Sequence, residues 1–572
     1  MVSPNISTEH NNLFRHKERL PVSQFMKCCA VALAGLVLAL SPTVAKAQNV
    51  KPVVVVSLAS VEKQRADLLY LAELVGQKEA AEGMLNFAPI FLNGVDMKRP
   101  AGGYLTLSDG GEAKFVAFIP VLKLDTVLKT LEGQIGKPTD LGDGIKQIDP
   151  PNGGEPLYVK ESKGWAFVSN DKASVASPPA DPLVFLGNLP TMYNFAVRGN
   201  VHSIPAELRG MATSAIQDGL NRGLEQNRGS EEDRELAEKV GKMSAQQLQR
   251  LIEETNEVTI GWGVDKTLKA TYVDFAITAV EGTAMARQMA LLKDTTSNFA
   301  GFLLPTASVN LNGSTRMSPE EIEQNATLLQ VFQDRANKEI DDDAGLDADQ
   351  RTQAKAILKD LFGVLTDTVK GGKMDYGAAL VLAEEKLSFA GGLLVSDGKK
   401  LEGVFAKLVE LAKDEPDFPD VKLNAGKHGN VTLHTIDVDI PDGEEQAQQI
   451  FGEQLHVVIG TAPKAVYVAF GKDGESLMKQ AIDASAQKGS QPMPPSQINI
   501  YLKPIVQFAA SMDPSENPVL QKVAESMADA KGGTDEINLV TKPIPGGAVG
   551  RLQVNDGVLK LIGQAIKAAQ DR

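Results

Sequence analysis

Four kinds of residue in this 572-residue chain could do chemistry, and each has a spacing that can be tested. The densest histidine cluster is His428-Gly-Asn-Val-Thr-Leu-His434-Thr-Ile-Asp437-Val-Asp439. Imidazole and carboxylate are metal ligands, so His428, His434, Asp437 and Asp439 are the candidate metal residues. Their spacing argues against convergence: on a strand Asp437 and Asp439 share one face while His434 points to the other. Of six histidines only His202, His428, His434 and His456 follow the N-terminal region, and no His-Glu-x-x-His occurs. The run Asp341-Asp342-Asp343-Ala344-Gly345-Leu346-Asp347 invites calcium, but an EF-hand loop needs glycine sixth and here Gly345 comes fifth. A solvated loop that caps a helix from Asp347 or Asp349 suits those aspartates better. Ser-x-x-Lys begins at Ser60, Ser169, Ser396, Ser476 and Ser485 without a Ser-Asp-Asn or Lys-Thr-Gly partner, and no Gly-x-Ser-x-Gly is present. The glycine turns at 109–111 and 370–372 do not complete the phosphate-loop pattern Gly-x-x-x-x-Gly-Lys-Ser/Thr. No catalytic residue and no cofactor is therefore assigned.

Both cysteines, Cys28 and Cys29, precede the apolar run Ala30–Leu40. Upstream lie Arg15, Lys17, Arg19 and Lys27; downstream, Ala45-Lys46-Ala47 precedes Gln48. Basic region, short apolar run and small-x-small motif define a secretory signal peptide over 1–47, with cleavage after Ala47 and a possible true start at Met26. The run is too short for the ~20 residues of a spanning helix. Cysteines ahead of it are misplaced for lipidation, and cleavage leaves a thiol-free mature chain that relies on buried apolar surface. The expected address is the periplasm, the cell envelope or the extracellular space of a bacterium. An uncleaved anchor is the alternative.

The net charge is −15, and removal of the basic leader makes it more negative. No segment interleaves Lys and Arg with aromatics, so nucleic acid and anionic lipid surfaces are poor partners. Aromatics form 5% of the chain, with Trp165 and Trp262 its only tryptophans, which argues against sugar stacking.

The elements that would carry any site recur. Four stretches begin as a strand and lead into helix, at Val53, Tyr193, Ser308 and Gln497. Ser318-Pro319-Glu320-Glu321 supplies a capping serine, a proline at the first helical position and a glutamate at the third. Each stretch leads on to strand, turn, strand and helix. Alternation along Tyr272–Thr278 predicts antiparallel strands with one face packed and one wet. The predicted units span about 52–134, 184–294, 302–413 and 496–569, with strand pairs between the first two and the last two. The expected fold is therefore α+β, in two tandem halves at 48–297 and 298–572. Each half is an antiparallel sheet with amphipathic helices packed on one face. Charged helical hairpins near Arg222–Lys239 and Ala336–Lys355 protrude from it.

The phrases Gly102-GYLTLSDGGEAKFVAFIPVLKLDTVLKTL, Gly164-WAFVSNDKASVAS, Ala196-VRGNVHSIPAELR and Asn298-FAGFLLP resemble a family of uncharacterised exported proteins of planctomycete-type bacteria. The resemblance implies a bacterial precursor sent to the envelope and carries no activity or ligand. Three functions follow as expectations. The leading one is a non-catalytic exported protein that binds or scaffolds an envelope partner through its repeated surfaces. The alternative is a periplasmic carrier of a lipid or other apolar small molecule. The third is a hydrolase of unrecognised type.

Overall fold

The computed structural model describes residues 52–570 apart from 109, 151–152, 227–230, 416–417, 490, 513–517 and 527–534. Cys28, Cys29, Ala45, Ala47, Gln48 and the rest of the expected leader lie outside the described residues.

The chain opens with β1 (Val54–Leu58), α1 (Val61–Leu74), α2 (Lys78–Phe91), β2 (Ala101–Leu107), β3 (Ala113–Pro120) and α3 (Leu124–Ile135). Strands β4 (Thr139–Asp140), β5 (Ile145–Ile148), β6 (Leu157–Ser162) and β7 (Trp165–Ser169) follow, then short helices α4 (Lys172–Ala176), α5 (Leu183–Leu186) and α6 (Leu189–Met192). Next come β8 (Phe195–Asn200), the helical hairpin α7 (Ala206–Gln226) and α8 (Glu231–Glu254), β9 (Thr255–Asp265), β10 (Ala270–Ala279) and α9 (Ala284–Ala290). The chain continues with β11 (Val309–Arg316), the hairpin α10 (Pro319–Asp342) and α11 (Ala348–Lys370), β12 (Lys373–Ala383), β13 (Lys386–Leu394) and α12 (Gly398–Ala412). Then follow β14 (Asp420–His428), β15 (Val431–Asp439), α13 (Glu445–Phe451), β16 (Gln454–Ala462), β17 (Ala465–Gly471) and α14 (Gly474–Lys488). It closes with β18 (Ser496–Tyr501), α15 (Leu502–Met512), α16 (Pro518–Ser526), β19 (Glu536–Ile544), β20 (Gly547–Asn555) and α17 (Asp556–Gln570).

The protein is α+β, and the twenty strands among the described residues form one open antiparallel sheet. The pairings give the order β4-β5-β6-β7-β3-β2-β1-β8-β9-β10-β20-β19-β18-β11-β12-β13-β17-β16-β15-β14. Followed inward from either edge, the strands are connected in the same order, and the two series meet at β10 and β20. That seam pairs Ala270 with Asn555 through to Thr278 with Gly547.

Local chemistry sets the helix starts. Ser318 accepts from the Glu321 backbone while the Glu321 carboxylate accepts from the Ser318 backbone, with Pro319 at the first helical position of α10. Asp347 and Gln350 repeat this capping box at α11, so the acidic loop does cap a helix.

Helices occupy both faces of the sheet, which corrects the expectation of one. In the first half, Leu186 and Leu189 pack with Phe118, Phe167 and Trp165 on one side. Leu124, Val127 and Leu128 of α3 pack with Ile119, Ala166 and Val168 on the other. The reason is in the strands: Lys114-FVAFIP and Trp165-AFV are nearly continuous apolar runs, buried from both directions. The second core joins Phe299 and Phe302 to Ala379, Ala390 and Ala469 under Leu477 and Met478 of α14.

Candidate functional site

The residues singled out for metal chemistry do not come together. His434 is buried, accepts from the Asn424 backbone at Nδ1, lies 3.3 Å from the Thr461 hydroxyl and meets the Phe405 ring edge-on. Burial pushes its imidazole below the ordinary value, partly countered by Glu402. Asp437 faces the other side of β15, where His456 Nδ1 lies 2.6 Å away. Asp439 accepts from Gln454, and His428 pairs with Asp483 on α14 at 2.8 Å. Among the described residues no three such side chains could hold one metal ion. Four of the five Ser-x-x-Lys serines have structural partners. Ser60 caps α1, Ser169 donates to the Phe115 carbonyl, Ser396 donates to the Val364 carbonyl and Ser485 accepts from the Gly301 backbone.

The sheet faces carry the informative pattern. In an antiparallel pair, residues directly opposite project to the same side, so the register assigns every side chain to a face. One face holds the polar groups. Across it run Asn310, Asn499, Asn538, Gln553 and Tyr272 on successive strands. Asn499 donates to Asn310 at 2.8 Å and Asn538 to Asn499 at 2.6 Å. Beside them, at the seam, Arg551 grips Asp274 with two hydrogen bonds of 2.7 and 2.8 Å. The Tyr193 hydroxyl donates to the same carboxylate, and the guanidinium lies 4.0 Å from the Tyr272 ring centroid. Burial and then Asp274 raise the Tyr193 hydroxyl above its ordinary range; the Asp274 hydrogen bonds raise Arg551. Close approach makes this packing possible. A Cβ on Gly261 would stand 2.6 Å from the Tyr193 ring, and one on Gly377 2.9 Å from Phe299 Cβ.

Two further carboxylates are held beneath loops. Asp375, fully buried, accepts from Ser297, the Asn298 backbone and Lys373. Asp67 on α1 takes Lys63, Lys266 and Asn194. Burial alone would raise its carboxyl, but those hydrogen bonds outweigh burial and hold it below the ordinary value.

The opposite face has no charge at all from β7 to β16. Its members at the centre are Val56, Leu58, Phe195, Val197, Ile260, Trp262, Val273 and Phe275 in one half. Leu552, Leu539, Ile498, Leu311, Ala378, Leu393 and Val468 continue the face in the other. Only hydroxyls such as Thr271, Thr541, Thr315 and Ser496 interrupt it.

This face is open where packing would be expected. Phe275 is 52% exposed, Ile260 49% and Met374 47%; Phe195, Leu552 and Leu539 are each 41%. On the polar face Asp274 is only 2% exposed. The alternation Tyr272–Thr278 thus reads correctly as two unlike faces, and it is the Asp274 side that is enclosed and the Phe275 side that is open. The sequence signal that could have found the face is the absence of charge at every second strand position. Reading it needs the register, because neighbouring strands are far apart in the chain. Elsewhere a cleft of about 290 Å³ lies between α15, α16 and α17, lined by Leu502, Val506, Leu561 and Ile562.

No protein-family model matches the chain, and neither curated proteins nor solved structures gave a match. No helix among the described residues is long and apolar enough to cross a membrane.

Proposed function

We propose that this chain is an exported, non-catalytic protein that acts by binding, and that its working surface is the uncharged sheet face. The observation that carries this reading is the reversal of faces at the centre of the sheet. Large apolar side chains from Phe195 to Val468 stay open while charges and amides are enclosed. Scattered exposed apolar residues are ordinary, but a contiguous set of them marks an interaction surface. The matching strand order of the two halves supports the tandem-repeat reading, in which one half-face was joined to a second across β10 and β20. Export rests on the leader-like segment 1–47 and on the resemblance to exported planctomycete-type proteins.

The test is binding of a neutral, environment-sensitive dye such as Nile red to the purified chain. Saturable fluorescence that Phe275→Glu and Leu552→Lys abolish is the expected result. Dye binding untouched by both substitutions would remove this face as the site.

A further inference from the structure

Resting on the binding reading above, we infer that the occupant of the uncharged face is hydrocarbon: the acyl chains of an uncharged or zwitterionic lipid, with the headgroup left in water. Three features of the face select this chemistry.

The first is polarity. From β7 to β16 each strand is hydrogen-bonded on both sides, so the backbone there offers nothing for an added peptide strand to pair with. The few hydroxyls are spread over separate strands, and Trp262 Nε1–H is already donated to Thr271 at 2.8 Å. A ligand seated here gains from losing water and finds almost no directional partner, which suits a chain of methylenes.

Charge is the second. A second copy of this protein would bring another net charge of −15 against the first, and an anionic membrane would repel both. A neutral or zwitterionic lipid meets no such repulsion.

Extent is the third. The face crosses ten strands from β8 to β17, about 43 Å at the usual strand spacing. One leaflet of a bilayer core is about 15 Å thick, so the row can seat a two-chain lipid lengthwise.

The experiment uses vesicles of phosphatidylcholine carrying bromine on their acyl chains, mixed with the purified protein and separated from it by size. Lipid is expected to leave the vesicles in a soluble complex with the protein. Bromine should quench Trp262, which lies on this face, and spare Trp165, which is 2% exposed in the core on the opposite side. Phe275→Glu should weaken lipid uptake by at least about tenfold. The tryptophan readout needs no substitution, so it stands even if that variant fails to fold.

Nile red binding without lipid uptake overturns the lipid assignment and leaves the binding reading intact. Failure of both dye and lipid overturns the two together. Lipid uptake with Trp262 unquenched places the ligand elsewhere and also overturns the proposal. A stable dimer that takes up no lipid would assign the face to a second copy instead.

Discussion

At the scale of single residues, the polar groups act through enclosure. Asp274 shares strand register with Arg551 and is almost fully buried, so removal of either partner strands a charge. Arg551→Ala should therefore cost about 3 kcal/mol, more than Phe275→Leu on the open face, which should cost under about 0.5 kcal/mol. Urea unfolding of the two variants checks the contrast. His434 gives a pH prediction. Its folded value lies below the ordinary 6.5, so the charged form is disfavoured in the folded chain. The stability this contributes is fully present above the unfolded value and is lost as pH falls below it. Between pH 7 and 5 the midpoint of unfolding should drop less in His434→Gln than in the parent chain, measured by thermal melts across that range. These groups were visible in the sequence as types only. Asp437 and His434 were correctly separated by strand parity, whereas nothing near Asp274 pointed to Arg551, whose partnership depends on two distant strands meeting.

At the scale of elements, much was legible because the signals are local. Ser318-Pro-Glu-Glu carries its capping box within four residues, and Asp347 does the same for α11. Ser318→Ala should destabilise α10 by about 1 kcal/mol, and hydrogen exchange in its first turn should rise before that of α11 does. The strand and helix sequence was readable for the same reason, since period-2 and period-3.6 patterns need only a short window. Helix placement was not. Expecting helices on one face overlooked that the apolar runs in β3 and β7 need cover on both. Leu186 and Leu124 sit on opposite sides of the same strands.

At the scale of the whole molecule, the two series of strands have separate cores and meet at a seam between β10 and β20. Both tryptophans lie before the seam, whereas helices and strands lie on either side of it. Tryptophan fluorescence and far-ultraviolet circular dichroism should therefore give different unfolding midpoints, and coincident curves would argue for a single cooperative unit. Arg551→Ala, by weakening the seam, should widen that gap. The sequence by itself determined the α+β class, the antiparallel strands, the helix caps and the expectation of export, because each rests on residues close together in the chain. Only the tertiary structure decided that the strands join into one sheet, which face of each strand is enclosed, and that an uncharged surface crosses the seam. Those properties depend on register between strands hundreds of residues apart, and register is set by packing that no short window contains.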